Sequence, residues 1–208
     1  MDLASLQKHL ADVPFTRPWK GAILYNTLIE HRYTNCLELG FAHGVATSYM
    51  AGALQELGQG KVVAVDLKYA LNVTPRADQL VHSLGLSKYA EFVFEDISHT
   101  WYMMERIERG DQSFDFCFLD DAHTWDVTGF GFLLVERLLK SGGMIIFDDL
   151  NWSFDSSPSM SKLPKVMAKS ERERTTRQVR KVFDLLVKGH PSFSKVWETS
   201  GLGFAIKK

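Results

Sequence analysis

Cysteine is scarce in this chain. Cys36 and Cys117 are the only two in 208 residues, and each lies inside an apolar, strand-like run. Such thiols read as small buried hydrophobes of a reducing compartment; with no CxxC spacing they exclude a disulfide framework and a cysteine-built zinc site. A surplus of charge is also lacking: 24 Lys and Arg against 25 Asp and Glu leave a net charge of −1. That balance gives no global attraction to nucleic acid or to an anionic membrane surface. No apolar run approaches membrane-spanning length, and the opening MDLASLQKHLADVPF has neither an apolar core nor a cleavage pattern. A soluble cytoplasmic protein is the expectation. Internal repeats and low-complexity tracts are absent too. What is present is 45% hydrophobic residues, enough for a substantial core in one domain spanning residues 1–208.

Apolar runs alternate with helical patterns along the chain. Strands are expected at residues 36–39, 61–67, 90–97, 114–120 and 144–148. Between them, helices are expected at 46–57, 78–84, 101–109 and 131–140, the last with Leu133, Leu134 and Leu138 on one side and a break at Ser141-Gly142-Gly143. Helices over 3–11 and 19–31 form an amino-terminal cap (residues 1–33). Residues 151–170, with Trp152, Phe154 and Met160, lose all periodicity and read as a loop covering an acceptor. A charged helix over 171–188 and a hairpin of 191–198 with 202–207 close the chain. The pattern predicts an α/β fold: one doubly wound, Rossmann-like domain with a mostly parallel seven-stranded sheet and an antiparallel carboxy-terminal hairpin.

The first strand runs into a glycine turn, Gly40 and Gly44, and then a helix, the arrangement that brings a backbone close to a nucleotide-type ligand. Glu38, two residues before the turn, would repel a pyrophosphate and suits a cationic ligand. S-adenosylmethionine, with its sulfonium and ammonium groups, is one. Every strand ends in acid: Glu38, Asp66, Asp96, Asp120 with Asp121, and Asp148 with Asp149. In a doubly wound sheet these ends share one crevice, where carboxylates repel unless cations or donors compensate. Asp66, 26 residues after Gly40, stands near the spacing of a ribose-binding acid, or else simply forms a turn. Asp96 could meet an adenine amino group or cap the following helix. Asp120-Asp121-Ala122-His123 with Asp148-Asp149 offers, from adjacent strand ends, the carboxylate oxygens that Mg²⁺ or a similar divalent cation prefers, and His123, three residues past Asp120, is close enough to serve as a general base. As isolated residues, His123 also reads as a cap or surface histidine, and the Asp148-Asp149 pair as a solvated turn.

With these residues in place, the chain resembles the class I S-adenosylmethionine-dependent methyltransferases over nearly its full length. CLELGFAHG (36–44) looks like their first motif, VVAVD (62–66) their second-strand acid and FVFEDIS (92–98) their adenine-side strand. FDFCFLDDAH (114–123) and LLKSGGMIIFDD (138–149) look like the fourth- and fifth-strand motifs. Asp120-x-x-His123 with Asp148-Asp149 looks most like the metal-dependent O-methyltransferases of sugars and related natural products. The resemblance implies a cofactor site of Glu38, Gly40, Gly44, Asp66, Asp96, Ile97 and Asp120. It also implies a metal on Asp120, Asp148 and Asp149, His123 as base, and a small-molecule hydroxyl as acceptor. Two departures stand out: only two glycines in the first motif, and Asp121 where related sequences often carry glycine. Three other readings compete: a nicotinamide-dependent oxidoreductase, which lacks its full G-x-G-x-x-G; a metal-dependent hydrolase, which leaves Asp66 and the turn without a task; and a non-catalytic binding module of the same fold. A homo-oligomer is open, with the amino-terminal helices and the loop after 151 as contact surfaces.

Overall fold

Five of the apolar runs are the parallel strands of a single sheet in the computed structural model, which describes residues 1–208. They are β1 (Asn35–Leu39), β2 (Lys61–Leu67), β3 (Ala90–Glu95), β4 (Phe114–Leu119) and β5 (Leu139–Phe147). β6 (Phe193–Thr199) and β7 (Leu202–Lys207) form the expected hairpin, and β7 inserts antiparallel beside β5. The seven-stranded order is β3-β2-β1-β4-β5-β7-β6. The direction of winding reverses between β1 and β4, and at such a switch point loops diverge and leave a crevice at the strands' carboxyl ends.

Alternation along the strands fills two cores. Cys36, Val62, Ala64, Phe116, Phe118 and Ile146 face one side, against α1 (Leu3–Leu10), α2 (Pro18–His31), α3 (Val45–Leu57) and α4 (Ala77–Ser83). Leu37, Val65, Cys117, Leu119, Ile145 and Phe147 face the other, under α5 (Thr100–Glu108) and α6 (Trp125–Leu138). Each fully buried Leu or Phe contributes roughly 1.5–3 kcal/mol. Both thiols are buried and free, as their apolar surroundings implied. No helix is long and apolar enough to cross a membrane.

Three expectations need correction. Helix α6 starts at Trp125 and buries Phe132, Val135 and Leu138, while Leu133 is exposed, because the stripe facing the sheet is set by the first turn near Thr128. Ser141-Gly142-Gly143 does not stop a helix; it lies inside β5, which begins at Leu139. The β4–β5 register shifts between Phe114 and Phe116, and a side chain at Gly143 would collide with Leu139 and the Asp115 carbonyl, so glycine is what the irregular pairing admits. The charged helix over 171–188 is broken into α8 (Glu171–Thr175), α9 (Gln178–Val182) and a π turn at Phe183–Val187, α7 being the short Pro164–Met167. Thr175 and Thr176 donate their hydroxyls to the carbonyls of Glu171 and Arg172, and Thr176 is extended. Large apolar side chains are exposed on the outer side of α5 and α6 (Trp101, Met104, Phe130, Leu133).

Candidate active site

Backbone hydrogen bonds stitch the strand ends together: Gly40 donates to the Val65 carbonyl, Asp120 to that of Leu39, and Asp148 to that of Leu119. Gly40, at φ +87°, approaches Asp120 so closely that a Cβ would lie 2.1 Å from its carbonyl oxygen; Gly44, at φ +77°, abuts Ala77. Asp66 turns its carboxylate into the loop. It accepts from the N–H groups of Phe41 (3.0 Å), Ala42 (2.8 Å) and Leu67 (2.7 Å), so it clasps the glycine turn.

Glu38 is 1% exposed. One oxygen accepts from the Thr47 hydroxyl at 2.5 Å; the other, Oε1, is buried without a partner. Burial pushes this carboxyl well above the ordinary range, against the Thr47 hydrogen bond and with Asp120 and Asp66 adding to the rise. A buried carboxyl in this state gains most from an arriving cation or donor. Asp96 lies past the end of β3 with an exposed side chain paired to Lys68 at 2.6 Å; the cap of α5 is His99, so Asp96 does not cap that helix. Ile97 beside it is 74% exposed.

The structure draws Asp120, His123 and Asp149 together, with possible ligand atoms all within 4.8 Å of one another. His123 Nε2 lies 3.2 Å from Asp120 and 3.4 Å from Asp149. Burial disfavours the charged ring, but the two carboxylates outweigh it and hold its pKa up at about 10. The two carboxylates thus favour the protonated ring, although neither contact has hydrogen-bond geometry. His123 and Asp149 both sit at positive φ (58° and 53°), a backbone cost tolerated where surrounding structure imposes it. Trp152 leans on the His123 ring at 5.0 Å between centroids and Phe154 on Trp152 at 4.9 Å. Phe154 is buried, so part of the 151–170 segment is packed core.

Asp148 departs from the expected metal set. Its carboxylate is 2% exposed and meets Lys20 Nζ at 2.5 Å, while Asp149 lies 3.5 Å from the same ammonium. Burial with Asp120 and Asp149 favours a neutral Asp148, whereas these carboxylates favour a charged Lys20 despite its burial. A neutral Asp148 would strip the buried ammonium of its nearest counter-charge, so the pair is ionised. Asp149, despite burial, is held down at about 2 by His123 and Lys20. A divalent cation on Asp120, Asp148 and Asp149 would compete with Lys20 for Asp148, while the donors that lie within reach of one ion are Asp120, His123 and Asp149. Its charge would face an ammonium already lodged between two of the three ligands.

Two residues at this site carry no motif. Lys20 showed itself only as a lysine on the stripe Lys20, Leu24, Leu28 of a helix, the stripe that is buried. His99 faces Asp121 at 3.6 Å, too far to bond, and both facing atoms are unpartnered. Burial pulls His99 down to about 4 and pushes Asp121 up to about 6. Asp121 spends its other oxygen on the Thr128 hydroxyl and the His123 N–H.

A reversed, doubly wound sheet with an antiparallel seventh strand and a glycine turn over an acid is the class I methyltransferase fold. Residues 37–150 match the methyltransferase domain family, and the chain belongs to it. That membership sets the oxidoreductase and hydrolase readings aside. Among solved structures, the O-methyltransferase of Bacillus cereus in complex with S-adenosylhomocysteine superposes with a TM-score of 0.70 at 19% identity, over 100% of this chain and 92% of that one. The O-methyltransferase TomG of Streptomyces achromogenes, involved in tomaymycin synthesis and bound to S-adenosylmethionine, gives 0.68 at 17%, over 99% and 89%. The methyltransferase PaMTH1 of Podospora anserina, bound to S-adenosylhomocysteine, gives 0.68 at 14%, over 99% and 87%. At these identities the likeness is one of fold. No curated protein sequence matches the chain.

Proposed function

We propose that the protein is an S-adenosylmethionine-dependent O-methyltransferase acting on a hydroxyl group of a small molecule. The observation that carries this reading is the buried, unpartnered Oε1 of Glu38 beneath the Gly40–Gly44 turn, which suits a cationic ligand. The O-methyltransferases of like fold, crystallised with S-adenosylmethionine or its product, support it.

On this reading Gly40 and Gly44 admit the ligand to the backbone, Asp66 holds the turn in shape, and Ile97 and Asp96 flank the adenine side. Asp120 joins the cofactor half to the reacting half. The bound cofactor supplies an electrophilic methyl: its C–S bond breaks with the electron pair left on sulfur, an O–CH₃ bond forms, and the hydroxyl loses its proton. Positioning supplies much of the acceleration in such an in-line displacement. The acceptor proton becomes strongly acidic as the O–CH₃ bond forms, so a carboxylate of Asp120 or Asp149 is base enough to receive it. His123 lies against those carboxylates, and Trp152 closes the His123 side. Mg²⁺ or a similar cation has no step here.

Calorimetric titration with S-adenosylmethionine, S-adenosylhomocysteine and NAD⁺, followed by transfer of labelled methyl to a panel of phenols, sugars and hydroxy acids, tests the reading. Binding of both sulfur ligands and not of NAD⁺ is expected; a protein that binds neither sulfur ligand refutes it.

A further inference from the structure

The acidic cluster already contains a cation, and it comes from outside the strand-end motifs. Lys20, in the first turn of α2, is 8% exposed, an unusual place for an ammonium unless carboxylates repay its desolvation. Its Nζ lies 2.5 Å from Asp148 Oδ2 and 3.5 Å from Asp149 Oδ1, and the charge of Asp120 acts on it as well. The helix carrying it is set close: a Cβ on Gly21 would stand 2.2 Å from the Tyr49 ring of α3, so only glycine lets α2 lie low enough for Lys20 to reach the strand ends.

We propose that the Lys20 ammonium stands where these carboxylates would otherwise hold a divalent ion, and that methyl transfer by this protein needs no metal. The proposal rests on the methyl-transfer reading above. The charges support it. Lys20 is paired with two of the three carboxylates, so a protein cation already offsets part of their charge. A divalent ion among the same oxygens would meet like charge from Lys20. The donor count supports it too. An ammonium has three N–H groups; Asp148 and Asp149 take two, and the third remains for an acceptor oxygen. Lowering the pKa of a bound hydroxyl by a nearby positive charge is part of what a metal contributes. Lys20 contributes it with a fixed side chain.

The test uses the full chain, stripped with EDTA, as wild type, Lys20→Ala and Lys20→Arg. Mn²⁺ binding is followed by electron paramagnetic resonance, and S-adenosylmethionine binding by calorimetry on the same samples. Wild type and Lys20→Arg should show no saturable Mn²⁺ site, while Lys20→Ala should bind Mn²⁺ at least about 100-fold more tightly, since removing a like charge some 4 Å away releases that repulsion. Methyl transfer by wild type should survive EDTA, and Mn²⁺ should restore transfer to Lys20→Ala. Saturable Mn²⁺ binding by wild type overturns the proposal, and the wild-type measurement decides even where Lys20→Ala fails to fold. Loss of S-adenosylmethionine binding with the Mn²⁺ pattern intact would refute methyl transfer alone and leave Lys20 as the cation of the cluster.

Discussion

Replacing His123 with Gln should flatten the decline of stability above neutral pH. In the folded chain the imidazole sits between Asp120 and Asp149 with its pKa held at about 10, against 6.5 for the free ring. Below 6.5 the ring is charged in both folded and unfolded chains, and the ion-pair contribution is fully present. Above it the unfolded chain loses the proton and the folded chain keeps it. Stability then falls by about 1.4 kcal/mol per pH unit until the folded ring also titrates. Carried over the whole window this would approach 4–5 kcal/mol, and because the side chain is 20% exposed and partly screened we expect on the order of 2–3 kcal/mol. Urea unfolding at pH 6, 7, 8 and 9 measures it. Wild type should lose stability more steeply than His123→Gln between pH 7 and 9. The buried Cys36 and Cys117, whose thiols burial pushes well up, add a decline near pH 9 that is common to both proteins and cancels in the difference. Equal slopes would mean a neutral ring in the folded chain and would return His123 to the role of general base.

Gly40→Ala should cost roughly 2–4 kcal/mol in thermal or urea unfolding, because a Cβ at φ +87° would enter the Asp120 carbonyl; a variant as stable as wild type would show that the turn is looser than its contacts imply. Glu38→Gln should keep the fold, since Thr47 can still donate to the amide oxygen, while S-adenosylmethionine binding weakens about 10–100-fold with the loss of one buried charge contact; unchanged affinity would remove Glu38 from the cofactor site.

Much of the fold was legible in order. The runs around Leu37, Val65, Phe118 and Ile146 are apolar without interruption, as strands covered on both faces must be, and each ends in an acid that the crevice collects. The glycine turn was legible for a local reason too: Gly40 and Gly44, the residues that take positive φ at no steric cost, follow the strand within five positions. The boundaries of β5 and of the 171–188 helix were not, because a bulge and a threonine pair depend on what lies beside them.

At the site the division falls between identity and partnership. Sequence alone determined which acids gather at the strand ends, because strand parity and strand order follow from local pattern. Tertiary structure decided what each acid does there. Asp66 clasps the glycine turn, Asp148 pairs with a lysine 128 residues away, and His123 is set against two carboxylates that only the folded sheet brings to it. Charge state and pairing depend on distances of a few ångströms between segments remote in the chain, and no spacing along a strand or helix encodes those distances.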